Sequence, residues 1–268
     1  MLGLMEIVED VEGYVVDGVV GHGGSATVYR AHHVSAPDDP VALKVLDGRH
    51  HDPAHLTQLL REFEFARRTA GPHVVAMYDC GPGWLAMQFV AGGTVMTLTS
   101  RRDRLVALGQ IAGALDAAHV LGIVHCDVKP ANILVCETFS DGGAVLTDFG
   151  IARLLTDEAG HRPTHVEASL PYVAPEVLRG ESPSAASDEY ALACTAVELL
   201  TGSPPFTAPT AMALVSAQLN RPVPKYSRRF DWLPSAFDSI LAKAMAKNPD
   251  RRYQTCSEFV SLITHAIG

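Results

Sequence analysis

The texture of the chain changes at Gly92-Gly93, and that change limits the fold more than any other feature. Ahead of it lie short runs rich in β-branched and aromatic residues: Tyr14 to Val20, Ala26 to Arg30, Val41 to Leu46, Val74 to Tyr78 and Trp84 to Phe89. Such runs suit a pleated sheet. Gly21-His22-Gly23-Gly24-Ser25 reads as the glycine-rich tip of a hairpin, and Pro37-Asp38-Asp39-Pro40 as a turn before the third strand. One helical pattern interrupts them, with Leu56, Leu59, Leu60, Phe63 and Ala66 on one face and Gly71-Pro72 as the stop. Behind the glycines come long helical patterns at Leu105 to Leu121, Asp188 to Leu200, Pro209 to Leu219, Ser235 to Ala246 and Ser257 to Ile267. This segregation predicts an α+β fold of two lobes sharing a cleft: a small antiparallel-sheet lobe with one helix over about 14–90, and a larger helical lobe over about 94–267. Residues about 88–93 act as a hinge, because no Pro/Ser-rich spacer occurs there and no internal repeat is visible.

Length and composition fit that size of core, with 268 residues of which 47% are hydrophobic. A net charge of −9 argues against nucleic acid as the principal partner. Cys80, Cys126, Cys136, Cys194 and Cys256 are scattered without a C-x-x-C pair, which suggests neither a zinc site nor a disulfide framework and fits a reduced cytoplasm. Met1 to Met5 is followed at once by Glu6, so it lacks the form of a signal peptide. No window approaches the roughly 18 apolar residues of a membrane span, so a soluble, cytoplasmic chain is expected. His51 and His55 stand at a spacing that can bind metal on a helix, yet Asp52-Pro53 beside them reads better as a helix cap and first turn.

The chemistry concentrates in His125-Cys126-Asp127-Val128-Lys129-Pro130-Ala131-Asn132 and, sixteen residues beyond Asn132, Asp148-Phe149-Gly150. Together they supply a base and two metal ligands at fixed spacing. The pair of motifs resembles the H-R-D-x-x-x-x-N and D-F-G of protein kinases, with Cys126 in place of the usual arginine. The resemblance implies that Asp127 takes the proton of a substrate hydroxyl, that Lys129 steadies the transferring phosphate, and that Asn132 and Asp148 hold Mg²⁺, with Mn²⁺ as a substitute. Lysine at position 129 matches the serine/threonine members of the family rather than the tyrosine kinases.

Upstream, Gly21 to Val28 is similar to the family's G-x-G-x-x-G-x-V except that Ala26 replaces the third glycine, and Val41-Ala42-Leu43-Lys44 is similar to V-A-I-K. By that likeness Gly21, Gly23 and Ala26 cover the phosphates of ATP, and Lys44 grips them with the help of a helix glutamate. Glu62 and Glu64 compete for that part, and ungapped counting back from Pro72 favours Glu62. Val28 and Ala42 above and Leu134 below would enclose the adenine, Met87 would back the pocket, and the backbone of Gln88 and Val90 would bond the base.

Downstream, Ala168-Ser169-Leu170-Pro171-Tyr172-Val173-Ala174-Pro175-Glu176 resembles G-T-x-x-Y-x-A-P-E. The likeness implies that Ser169 bridges the catalytic aspartate and lysine, that Glu176 pairs with Arg252, and that Asp188 anchors the catalytic loop. It spans Tyr14 to Ile267 and is greatest for bacterial, especially actinobacterial, serine/threonine kinases of the eukaryotic type. The expected function is ATP-dependent phosphorylation of Ser/Thr in protein substrates, including autophosphorylation, with a homodimer left open. The alternatives are a pseudokinase scaffold that binds nucleotide without efficient transfer, and a small-molecule phosphotransferase of the aminoglycoside type. Asp148-Phe149-Gly150 and Ala174-Pro175-Glu176 favour a protein substrate, because the segment between them forms a peptide platform in the family. Thr156, Thr164 and Ser169 are candidate phosphoacceptors there. Cys126 cannot supply the charge that an arginine would offer a phosphate, so activity is expected to depend little on phosphorylation of that segment. Cys126 itself reads either as a half-buried filler or as an addressable thiol beside the catalytic aspartate.

Overall fold

The computed structural model describes residues 11–149, 152–154 and 169–268. Its contacts divide the chain into two units, the first comprising residues up to Phe63 together with Ala76–Phe89, the second comprising Glu64–Val75 and Val90–Gly268.

The first unit is a five-stranded antiparallel sheet. Its strands are β1 (Tyr14–His22), β2 (Ala26–His33), β3 (Ala36–Leu46), β4 (Met77–Gly81) and β5 (Trp84–Gln88), in the spatial order β1-β2-β3-β5-β4. The alternation of β2 and β3 turns Ala31, Val41 and Leu43 inward against Val11 and Ala86, with Tyr14, Tyr29 and Trp84 closing the cluster. Pro37-Asp38-Asp39-Pro40 does not make the predicted turn. The chain reverses at Val34-Ser35, and the Pro-Asp stretch lies inside β3, where His33 faces Ala36 but His32 faces Pro40. Three residues are therefore bulged out of an exposed strand end, which tolerates prolines because no ladder bond is demanded of them. The predicted strand at Val74 to Tyr78 also shifts, to Met77–Gly81.

Helix α1 (Pro53–Arg68) begins as the cap reading requires: Asp52 Oδ1 accepts from the amides of Ala54 at 2.9 Å and His55 at 3.2 Å. His55 Nδ1 meets Asp52 Oδ2 at 2.6 Å, and His51 Nε2 meets the Leu46 carbonyl at 3.2 Å, so both histidines serve the helix entry.

The second unit is built on α2 (Arg101–Val120), α3 (Ala185–Thr201), α4 (Ala211–Asn220), α5 (Ser235–Ala244) and α6 (Cys256–Ile267), with the paired strands β6 (Ile123–Val124) and β9 (Arg153–Leu154) and the hairpin β7 (Ile133–Val135) and β8 (Ala144–Leu146). Helix α3 is buried almost all round from Ser187 to Leu200, as befits a central helix. Helix α6 is tied to α2 by Asp116, whose carboxylate accepts from the amides of Cys256 at 2.8 Å and Ser257 at 3.0 Å at the first turn. Gly92 has to be glycine. A Cβ there would come within 2.5 Å of the Val135 and Cys136 carbonyls, because Gly92 N–H donates to Val135 O at 3.0 Å.

Buried Glu189 on α3 imposes a pH dependence on this unit. It is 2% exposed, its carboxylate accepts from the Tyr253 amide at 3.1 Å, and burial pushes its pKa up to about 8. A carboxyl whose folded pKa lies above its unfolded value binds more protons when folded, so it costs stability as pH rises from about 4.5 to about 8. Glu189→Gln keeps an acceptor for Tyr253 and removes the charge. It is expected to raise the thermal midpoint at pH 8 by several degrees, on the order of 1–3 kcal/mol, and to leave it little changed at pH 5. Equal midpoint shifts at both pH values in a melting experiment would rule out the titration of Glu189 as the cause.

Candidate active site

Of the residues singled out from the sequence, Gly21, Gly23, Ala26, Val28, Ala42, Lys44, Glu62, Met87 and Gln88 belong to the first unit, and Val90, Asp127, Lys129, Asn132, Leu134 and Asp148 to the second.

In the first unit the glycine-rich turn joins β1 to β2, and Gly23 N–H closes it on the Ala26 carbonyl at 2.7 Å. Gly21 sits opposite Val28 in the ladder, and a Cβ on it would meet nothing within 4 Å, so the tip is open. Ala26 faces inward opposite Leu46, which explains why a methyl is accepted at this position. Lys44 lies on β3 beside Ala42, and Val28 is its direct partner on β2. Lys44 Nζ donates to both oxygens of Glu62, at 2.8 and 2.7 Å, and Glu62 is 2% exposed. Of the two competing glutamates it is therefore Glu62 that turns to the lysine. Met87 is buried on β5 opposite Ala42. Gln88 spends its N–H on the Ala76 carbonyl at 2.8 Å, so a contribution from Gln88 to a ligand would come through its carbonyl.

In the second unit, polar groups converge on Asp127. Lys129 Nζ donates to Asp127 Oδ2 at 2.7 Å, Asn132 Nδ2 to the same oxygen at 2.9 Å, and Ser169 Oγ to Oδ1 at 2.7 Å. Lys129 also donates to Ser169 Oγ at 2.9 Å, so Ser169 bridges the pair and is not presented as a phosphoacceptor. A carboxylate has about four lone-pair positions, and with these three donors in place Asp127 can still accept one more hydroxyl proton. Asn132 spends Nδ2 on Asp127, at 2.9 Å to its carbonyl as well as its carboxylate, which commits the amide nitrogen and directs Oδ1 elsewhere as an acceptor.

The loop that carries these groups is held from behind. Asp188 on α3 accepts from the backbone amides of His125 and Cys126, each at 2.8 Å, and from His119 Nε2 at 2.8 Å. The His125 ring accepts the Asp127 amide at Nδ1, 3.3 Å, and donates from Nε2 to the Thr147 carbonyl at 3.2 Å, with its edge on Phe149. Cys126 and Asp148 both adopt positive φ, +69° and +66°, a costly region for non-glycine residues that persists where surrounding contacts over-determine it. Leu134 pairs with Val145 in the small hairpin and bridges to Thr94, four residues beyond Val90.

Cys126 is part-buried, and its surroundings disfavour the thiolate. Burial of the sulfur, reinforced by the charge of Asp188 and opposed by that of Arg153, pushes its pKa well above the ordinary thiol value, and Sγ donates to the Val124 carbonyl at 3.5 Å. Thr156, Thr164, Ala168 and Gly150 lie outside the described residues.

A second cluster stands apart on α2 and α6, where Asp116, His119 and Cys256 approach one another within 4.8 Å. Its groups already have structural work: Asp116 caps α6, His119 bonds Asp188, and the Cys256 thiol bonds Asp116 with its pKa pushed well up by burial. Sequence reasoning did not single out His119 or Gln218, both of which reach the loop region. The available signal was a polar residue on an apolar helix stripe, Gln218 standing four residues after Leu214.

The family model described as "Protein kinase domain" matches residues 14–263. Among curated proteins, the chain is 38% identical over 269 residues to "Serine/threonine-protein kinase PknJ" of Mycobacterium tuberculosis, covering 95% of this chain and 45% of that protein. It is 37% identical to PknH of the same species over 263 residues, 94% of this chain and 41% of that protein, and 37% identical to PknE over 264 residues, 94% and 46%. The chain thus spans less than half the length of the curated relatives it matches.

Proposed function

Because the chain belongs to the protein kinase domain family, we propose that it is an ATP-dependent serine/threonine protein kinase in which Asp127 accepts the proton of the acceptor hydroxyl. The observation that carries this reading is the arrangement around Asp127, where Lys129, Asn132 and Ser169 fix the carboxylate and leave it room for one more donor.

Lys44, held by Glu62, is the group that would neutralise phosphate charge from the first unit. Asn132 Oδ1 and the Asp148 carboxylate are hard oxygen donors that suit Mg²⁺ and also admit Mn²⁺. A bound divalent cation would neutralise charge on the phosphates. The remaining work falls to the chain itself: Asp127 orients the hydroxyl and accepts its proton, Lys129 steadies the charge beside it, and Asp188 keeps the loop backbone in place. Gly21, Gly23, Ala26, Val28, Ala42, Met87, Gln88, Val90 and Leu134 are assigned to nucleotide binding on the family pattern. The kinase domain is taken as residues 14–267, its partners as protein substrates, and its setting as the cytoplasm. Among the described residues no helix is long and apolar enough to cross a membrane.

The test is transfer of labelled γ-phosphate to a generic protein, with phosphoamino-acid analysis. Label on serine and threonine is expected, and nucleotide binding without any transfer would favour the pseudokinase alternative instead. Phosphatase treatment of the purified enzyme beforehand is expected to leave most of the activity, since Cys126 offers a loop phosphate neither charge nor bidentate donors. Silencing by phosphatase and recovery on rephosphorylation would overturn that part.

A further inference from the structure

We propose that Gln218 is a positioning residue for phosphotransfer, fixing from α4 the backbone of the segment that follows Ser169 and so presenting it to a protein substrate. This rests on the kinase reading above, because the segment's importance comes from its contact with Asp127.

Gln218 is fully buried, at 0% exposure, on a helix whose other buried residue is Ala217. Its Nε2 donates to two successive carbonyls, Leu170 O at 3.2 Å and Pro171 O at 2.6 Å, while its Oε1 accepts from the Tyr190 hydroxyl on α3. A primary amide has two N–H donors on one nitrogen and an acceptor oxygen beside it, and all three functions are used here. No apolar side chain of that length satisfies those carbonyls, and a carbonyl left without a donor in a buried site is destabilising.

Orientation of the amide is settled by its surroundings. The Leu170 and Pro171 carbonyls can only accept, so the nitrogen must face them and the oxygen the Tyr190 hydroxyl; Tyr190 is 0% exposed, with its ring 5.7 Å from Lys247 Nζ and 4.9 Å from the Arg252 guanidinium. Lys247 Nζ, itself 4.6 Å from the Phe206 ring, donates to the backbone carbonyl of Gln218 at 2.6 Å. Both ends of the residue are thus clamped before it reaches the segment. On the other side, Ser169 immediately precedes Leu170 and its hydroxyl touches Asp127 and Lys129 at 2.7 and 2.9 Å. Tyr172 closes the turn with its amide on the Ser169 carbonyl at 2.9 Å and its hydroxyl on Glu198 at 2.5 Å. Buried networks with every member satisfied rigidify what they hold. Loosening Leu170 and Pro171 would therefore be felt by peptide substrates and by the Ser169 bridge, but not by groups in the first unit that are assigned to the nucleotide.

Three variants separate this from a general loss of stability. Gln218→Leu removes the donors at similar volume, Gln218→Glu keeps the acceptor for Tyr190 but removes the donors, and Tyr190→Phe removes only the hydroxyl that orients the amide. Steady-state kinetics with a peptide acceptor is expected to show kcat/KM for peptide at least about ten-fold lower in both Gln218 variants and about three-fold lower in Tyr190→Phe, with KM for ATP within about two-fold of wild type. Hydrogen exchange of the peptide covering 169–178 should quicken in the same order. A kcat/KM for peptide within two-fold of wild type, or a parallel rise in KM for ATP, would overturn the proposal. Should the Gln218 variants fail to fold, Tyr190→Phe decides, and unchanged kinetics and exchange in that variant would equally overturn it. Should the wild type transfer nothing, the kinase reading fails, while hydrogen exchange still decides whether Gln218 pins the segment.

Discussion

Asp127→Asn is expected to lower phosphotransfer by about 10²- to 10⁴-fold, equivalent to about 3–5 kcal/mol of transition-state stabilisation. The replacement keeps the shape of the side chain. Its amide oxygen can still accept from Lys129 and Asn132, where Asp127 Oδ2 now accepts at 2.7 and 2.9 Å, while its nitrogen faces the Ser169 hydroxyl, which can rotate to accept. Packing and the loop anchors on Asp188 are untouched, so the fold should hold, with a melting midpoint within about 2 °C of wild type. What disappears is the negative charge and the lone pair that would take the incoming hydroxyl proton. Nucleotide binding, assigned to Lys44 and the residues around it, should persist, which makes the expected signature a fall in kcat with little change in KM for ATP. Retention of more than half the wild-type rate would show that another group is the base.

The parts of this molecule that were legible in the sequence are those in which a local pattern implies a local geometry. The segregation of strands from helices was readable because the two periods differ, and the loop from His125 to Asn132 because its polar residues sit within eight positions of one another. Ambiguity began where the chain comes back on itself. Glu62 and Glu64 differ by two residues on one helix, and only the helix rotation that buries Glu62 against Lys44 separates them. The Pro37 to Pro40 stretch carries turn chemistry, yet Val34-Ser35 takes the reversal and leaves Pro37 to Asp39 to a bulge at an exposed strand end, with Pro40 back in register opposite His32. Gln218 offered only its polarity on an apolar stripe, because its partners are backbone carbonyls forty-seven and forty-eight residues away, a relation that leaves no periodicity of its own.

Arg252→Met is expected to cause a large loss of stability in the helical unit. The guanidinium is 2% exposed and makes a bidentate pair with Glu176, both bonds at 2.7 Å, while also donating to the carbonyls of Ala186 at 2.7 Å and Ala246 at 3.0 Å. Burial by itself would raise the Glu176 pKa, but the bonds and charge of Arg252, with a bond from Ser187, outweigh it and hold the carboxyl below its usual range. Removing the arginine reverses that balance and leaves a carboxylate buried at 2% exposure with no cationic partner, held by Ser187 Oγ at 2.8 Å and by its own backbone amide. Breaking a buried pair from one side costs about 3–5 kcal/mol, which for a chain of this size is a fall in melting midpoint of about 5–10 °C. Lysine should rescue poorly, because a single ammonium cannot reproduce two parallel bonds and two carbonyl contacts. The double change Arg252→Met with Glu176→Gln removes the stranded charge, and so is expected to be more stable than Arg252→Met alone. A double variant no more stable than the single one, measured by thermal melting at pH 7, would mean that the lost carbonyl contacts and not the ion pair set the cost. Because Glu176 depends on its partner to stay ionised, the contribution of the pair is present above the ordinary carboxyl pKa and fades as pH falls below about 4.5. The gap between wild type and Arg252→Met should accordingly narrow in acid, and a gap that widened there would contradict the ion-pair account.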